Sequence, residues 1–252
     1  MNFNNFLKVS AGAIGVLVLS LPSQAMAFTG FSFQTATDYN NNPKADILLQ
    51  SVTHDSKTRS NFSLVTGASI IENDHSTLGP SSTDLGDGAT SPNAIGANEL
   101  PTGQEVADFL GNLNLNNIID TEEFSRSVFE LDFGKKVNTF YLFERGLNSA
   151  LTVEALDASG AVLNNFRISQ DLWAKAGYKL DTTEIGFAQN VGSYGLKLDS
   201  AVRKVRIISD YADNGPDYKI VAAQVPEPGS MAALGLLAGA ALWAKRRKQA
   251  IA

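Results

Sequence analysis

The chain has 252 residues, a formal net charge of −6 and no cysteine. Absent thiols exclude disulfide frameworks, thiolate metal sites and cysteine nucleophiles, so the fold must rest on its hydrophobic core. All 26 acidic residues but only 15 of the 20 basic ones fall within 28–228, giving that segment a net −11, which repels phosphate backbones and argues against a nucleic-acid partner.

At the N-terminus, Lys8 precedes an apolar stretch from Val9 to Leu21, and Ala25-Met26-Ala27 supplies a small-residue cleavage site before Phe28. This order predicts a secretory signal peptide over 1–27, recognised at Ala25 and Ala27 and removed after Ala27. Pro22 and the A-x-A site disfavour an uncleaved anchor.

Residues 28–224 read as one domain, long enough for a sizeable core. Short β-rich runs dominate it: Phe28 to Thr35, Ile47 to Val52, Phe62 to Ile71, Ser127 to Phe133, Val137 to Glu144, Ala150 to Leu156, Val162 to Ile168, Glu184 to Gln189, Tyr194 to Leu198, Val202 to Ser209 and Tyr218 to Val225. They are bounded by Gly, Asn, Asp or Pro. Val128, Glu130 and Asp132 alternate with Phe129, Leu131 and Phe133, so one face is buried and the other wet. Asp157-Ala158-Ser159-Gly160 and Asp213-Asn214-Gly215-Pro216 read as hairpin turns. The pattern predicts an all-β fold, an antiparallel β-sandwich of jelly-roll type, with one or two short helices.

The first helix starts at Thr102, a cap whose capping-box partner is Glu105, and its apolar stripe is Val106, Phe109, Leu110 and Leu113. A shorter one is predicted from Gln170 to Lys175, capped by Ser169. The polar stretch from Asn73 to Pro101 reads as a flexible surface loop.

No catalytic constellation emerges, and the domain is predicted not to be an enzyme and to need no metal or cofactor. His54 and His75 sit in polar surroundings, outside any metal-ligand spacing, and no nucleophile elbow exists. Glu122-Glu123 are sequence neighbours and in a strand would point to opposite faces, so adjacency builds no glycosidase site. Asp84, Asp87 and Asp38 beside Asn40-Asn41-Asn42 are oxygen-rich enough for calcium, but turn formation explains them as well. Arg145 shares a strand face with Phe143 near the core edge and would need a carboxylate partner there. The rival to a structural role is a carbohydrate-binding module, calcium-assisted or not, with Tyr39, Trp173, Tyr178, Tyr194 and Tyr211 as stacking candidates and exopolysaccharide as partner.

The C-terminal stretch has three parts within 225–248. Pro226-Glu227-Pro228 comes first, then an uncharged run over 229–244 ending near Trp243, then Lys245-Arg246-Arg247-Lys248. The prolines keep the first part extended. As a helix, 229–244 covers roughly 24 Å of a hydrocarbon core about 30 Å thick, a short single transmembrane span. The basic cluster places its end in the cytoplasm. This tripartite tail resembles the PEP-CTERM sorting signal. The resemblance implies an exported, membrane-anchored precursor that an exosortase processes for the cell surface or the extracellular matrix. Phe143-Glu144-Arg145-Gly146, Trp173 to Tyr178, Thr183-Glu184-Ile185, Gln189 to Ser193 and Gly215 to Lys219 occur in the order of the largely cyanobacterial exosortase-dependent surface proteins. That second resemblance implies surface display and carries no catalytic residues.

Overall fold

The computed structural model describes residues 26–75 and 78–224. Ala25, the Pro226-Glu227-Pro228 motif, the 229–244 span and the cluster Lys245, Arg246, Arg247 and Lys248 lie outside the described residues. No helix among the described residues is long and apolar enough to cross a membrane.

In chain order the strands are β1 (Phe28–Phe31), β2 (Gln34–Thr37), β3 (Leu49–His54), β4 (Lys57–Arg59), β5 (Phe62–Ser63), β6 (Gly67–Asn73) and β7 (Ser82–Leu85). After helix α1 (Gly103–Leu110) come β8 (Asn117–Asp120), β9 (Ser127–Arg145), β10 (Leu151–Leu156), β11 (Val162–Ile168), β12 (Ala174–Leu180), β13 (Gln189–Ser209) and β14 (Asp217–Gln224). Their pairings are antiparallel throughout. The main sheet follows the order β11-β10-β13-β9-β14-β8-β7, and β2-β3-β4 form a separate small sheet.

Two strands organise the whole. The expected pairs Ser127 to Phe133 with Val137 to Glu144, and Tyr194 to Leu198 with Val202 to Ser209, are each a single strand, β9 and β13. Both bend at exposed points, Gly134-Lys135-Lys136 and Asp199-Ser200, where their mutual register shifts. Gly134 has φ 68° and its N–H donates to Asp132 Oδ1 at 2.7 Å, a left-handed corner that favours glycine. Beyond the bend the sheet faces itself, and Phe129, Leu131, Val205 and Ile207 from one half pack in the same core as Phe140, Leu142 and Leu196 from the other. This is the expected β-sandwich; what a jelly-roll reading did not include is that two strands run through both layers.

From Thr139 to Arg145, β9 is buried at every position. Its alternate residues Tyr141 and Phe143 point away from the first core and meet Phe33, Ile47, Leu49 and Val52 around the small sheet, making a second core. Phe33 stands edge-on to both aromatic rings, with centroids 5.0 and 5.7 Å away. Each such side chain contributes about 1.5–3 kcal/mol of burial, so covering the second face adds to stability what a two-layer sandwich would leave exposed.

The expected helix is α1. Thr102 accepts from the Glu105 amide and Glu105 accepts from the Thr102 amide, a complete capping box, while Val106, Phe109 and Leu110 are buried. Leu113 lies beyond the helix, against the second core. At the other end, the fully buried Lys219 donates through Nζ to the Phe109 carbonyl and to Asn112 Oδ1, closing the helix where carbonyls lack partners. Thr102→Ala is expected to cost about 1 kcal/mol in thermal or chemical denaturation, the usual loss for a side-chain cap.

Four expectations fail for identifiable reasons. The stretch from Asn73 to Pro101 contains β7, buried at all four positions because it pairs with β8. Glu184 to Gln189 is a loop up to β13, its start held across β7 by the Thr183 amide bonding to Leu85 O at 2.9 Å. The helix expected from Gln170 to Lys175 is one 3-10 turn, Gln170–Leu172; Ser169 Oγ bonds to Asp171 instead of capping, and burial of Ala176, Tyr178 and Leu180 at period two makes β12 a strand. Asp213 to Pro216 turns the chain but closes no hairpin, since β13 and β14 lie on opposite sides of β9. The other turn does join β10 to β11, with Asp157 Oδ1 accepting from the amides of Ser159 and Ala161.

Candidate functional site

Strand register gathers acidic residues at one end of the sandwich. Ser82 of β7 stands opposite Asp120 of β8, so Asp84, two residues further along β7, shares the face of Asp120. Tyr218 pairs with Ile119, which brings the preceding residue of β14, Asp217, level with Asp120; Asp217 in turn pairs with Arg145. Asp120, Asp217 and Arg145 therefore form one row across three strands. The loop entering β13 closes over this face. The Thr183 amide reaches Asp84 Oδ1 at 3.1 Å, and Glu184 Oε1 accepts from Ser82 Oγ at 2.6 Å.

Carboxylate oxygens of Asp84, Asp120 and Glu184 thereby lie within 4.8 Å of one another. Asp84 and Asp120 are buried, and Glu184 faces solvent. Glu99 and Glu122 lie close enough to repel Glu184 as well. The balancing charge is elsewhere: Arg145, whose side chain is 0 % exposed, gives Nη1 to Asp217 Oδ2 at 3.0 Å and Nη2 to the Ile185 carbonyl at 3.1 Å. Among the described residues no lysine or arginine forms an ion pair with Asp84, Asp120 or Glu184.

The electrostatic consequence is uniform. Burial, then repulsion from Asp217, Glu184 and Asp84, pushes the Asp120 carboxyl well above the usual carboxylate range. Burial raises Asp217 too, although its contacts with Asp120 and Arg145 pull the other way. Burial lifts Glu184 to about 7, opposed by the Ser82 bond and reinforced by its acidic neighbours; Glu122 also reaches about 7, by burial and then repulsion from Glu123.

The other candidates are scattered. Asp87 lies past the end of β7 and pairs with Lys44 at 2.8 Å, and Asp38 accepts the Leu48 amide at 2.6 Å, so neither joins Asp84 in the oxygen-rich set expected from sequence. His54 sits beside Asp55 and against the Phe31 ring at the surface, and His75 is exposed. Arg145 has the carboxylate partner its position demanded. Of the five stacking candidates, Trp173, Tyr178 and Tyr194 are core residues, because the sheet is covered on both faces. Trp173 Nε1 donates to the Ser149 carbonyl at 2.8 Å inside the protein. Tyr211 is exposed with its hydroxyl on Asp74, and Tyr39 borders a cleft of 280 Å³ with Asn41, Lys175 and Asn190.

Sequence reasoning missed Asp120 and Glu184. The one local signal on this face, the polar β-length segment Ser82 to Leu85 inside the presumed loop, holds Asp84 and neither of these two.

Comparison with known proteins gives one motif match and a few solved structures of low similarity. No curated protein matches the chain. Among solved structures, a His 62 mutant of the lectin-binding domain of Lectinolysin complexed with Lewis b is similar at 13 % identity and TM-score 0.29, over 43 % of this chain and 72 % of that one. A Streptococcus pneumoniae fucose-binding module, SpX-3, gives 14 % and 0.27 over 43 % and 73 %. CpGH89CBM32-4 produced by Clostridium perfringens gives 11 % and 0.28 over 47 % and 85 %. Residues 224–248 match the PEP-CTERM protein-sorting motif, beginning at the last residue of β14 and spanning the Pro-Glu-Pro, apolar and basic parts. The chain thus carries a PEP-CTERM protein-sorting motif over its residues 224–248.

Proposed function

We propose that this protein is exported, held briefly at the membrane by its C-terminal span, and released to the cell surface or matrix when an exosortase processes it near Pro226-Glu227-Pro228. The observation that carries the reading is the match of the sorting motif to residues 224–248, with the described domain ending where the motif begins. A four-residue connection, 225–228, reaches at most about 14 Å. The sandwich is therefore held close to the bilayer until the tail is cut.

The domain itself acts without catalysis on this reading. Supporting it is the placement of the acidic cluster. Asp84 and Asp120 are buried and only Glu184 faces solvent, so the cluster offers a substrate one carboxylate where glycoside hydrolysis uses a pair. Asp84 is also fixed by backbone amides of Leu85 and Thr183, a structural use of that carboxylate. A carbohydrate-binding role is the alternative, and burial of Trp173, Tyr178 and Tyr194 leaves it with Tyr39 and Tyr211.

Intact-mass analysis of the product from cells with and without an exosortase tests the proposal. The expected result is loss of the apolar and basic parts only when the enzyme is present. An intact C-terminus in exosortase-positive cells overturns the processing step. Specific retention on a glycan array would replace the non-catalytic structural role with the carbohydrate-binding one.

A further inference from the structure

The geometry points to a calcium site formed by Asp84, Asp120 and Glu184, with the Thr182 hydroxyl as a fourth oxygen ligand. Three observations converge on it. The first is distance: calcium takes oxygen ligands at about 2.3–2.6 Å, so oxygens on opposite sides of the ion are roughly 5 Å apart, and the three carboxylates fit within 4.8 Å. Magnesium dehydrates reluctantly and usually keeps several waters, so a set of four protein oxygens suits it less well.

The second is an unmet need inside the cluster. Asp120 is 5 % exposed, yet its Oδ2 receives no N–H or hydroxyl donor, although buried carboxylate oxygens normally carry them, and its side-chain neighbour is another carboxyl, that of Asp217. The third comes from a residue outside the acidic set. Thr182 is 2 % exposed and its hydroxyl faces the Asp84 carboxylate, but it forms no well-aligned hydrogen bond with any partner. A buried hydroxyl set against Asp84 and a buried carboxylate oxygen of Asp120, each lacking a well-aligned partner, add two oxygens able to ligate a cation at this cluster.

Charge agrees with this arrangement. The one guanidinium in the row, Arg145, is committed to Asp217 and Ile185 O, which leaves Asp84, Asp120 and Glu184 without an ion-pair partner among the described residues. Glu184 is exposed, so the ion has a route in from solvent and room for the waters that complete a six- to eight-fold shell. Bound there, calcium ties β7, β8 and the loop before β13 into one unit. The inference is independent of how the tail is sorted or cut.

The test uses the full chain purified in detergent, stripped with EDTA and titrated separately with calcium chloride and magnesium chloride by calorimetry, with thermal unfolding in parallel. The expected result is one saturable calcium site, weaker magnesium binding, and a Tm raised by roughly 5–10 °C at calcium a hundredfold above Kd. Asp120→Asn is close in shape and relieves repulsion, so it keeps the fold while abolishing the calcium response; Asp87→Asn, outside the cluster, leaves that response intact. Absence of a calcium heat and of any Tm shift in the native chain overturns the proposal. So does a calcium response that survives in Asp120→Asn, because the ion would then be held elsewhere.

Discussion

Replacing Arg145 by alanine is expected to lower folding stability by about 3–5 kcal/mol, because it strands a buried carboxylate without its partner. Arg145 and Asp217 lie side by side on β9 and β14, and both are shut away from water. Neither could be buried alone: the ion pair at 3.0 Å and the bond to Ile185 O offset the cost of taking the guanidinium out of solvent. The effect reaches beyond one pair, since Ile185 belongs to the loop that carries Glu184 over the acidic face. Chemical denaturation of Arg145→Ala gives the loss, and Arg145→Leu combined with Asp217→Leu should recover most of it, as removing both charges removes the desolvation burden too. A loss under about 1 kcal/mol for Arg145→Ala would mean that the pair is solvated.

A second large effect concerns pH. Glu144 is fully buried, with Oε2 accepting the Leu147 amide at 2.8 Å and Oε1 accepting nothing. Burial, and then repulsion from Asp217, pushes its carboxyl to about 9 from an ordinary value of 4.5. Between those values the folded chain holds a proton that the unfolded chain has released. Its contribution is complete below about pH 4.5 and is lost as pH rises toward 9, at up to about 1.4 kcal/mol per pH unit. Lys219 works in the opposite direction: burial lowers its ammonium pKa, so the folded state binds fewer protons there and gains stability as pH rises. The difference between the native protein and Glu144→Gln isolates the first effect. Denaturation midpoints measured from pH 5 to 8 should show the glutamine variant becoming relatively more stable at each step; parallel curves would place the Glu144 pKa outside this window.

Much of the fold could be read from local patterns. The capping box at Thr102 and Glu105 depends on residues three apart, and the alternation through Phe129, Leu131 and Phe133 depends on neighbours, so both were visible. The need of Arg145 for a carboxylate also followed from its place beside Phe143, although nothing local named Asp217. Features set by distant contacts were not visible. Gly134-Lys135-Lys136 has the composition of a turn, and only pairing with β13 on both sides of the bend shows that one strand continues through it. Trp173, Tyr178 and Tyr194 have the side chains of a stacking platform, and only the coverage of both sheet faces shows them to be core. The acidic site is the extreme case: Asp84, Asp120 and Glu184 come from three segments far apart in the chain, joined by the register of β7 on β8 and by a loop folded across it. No spacing rule within the sequence could have brought them together.

The place of β14 in the sheet has a mechanical consequence. It is paired with β9 along its length and with β5 and β8 on its other edge, and its last residue, Gln224, is the first of the sorting motif. If the tail is held in a membrane as proposed, a pull on it, directed along the chain, would load the whole β14–β9 ladder in shear instead of unzipping it one bond at a time. A precursor tethered in that way would resist tension at the end where that tension enters.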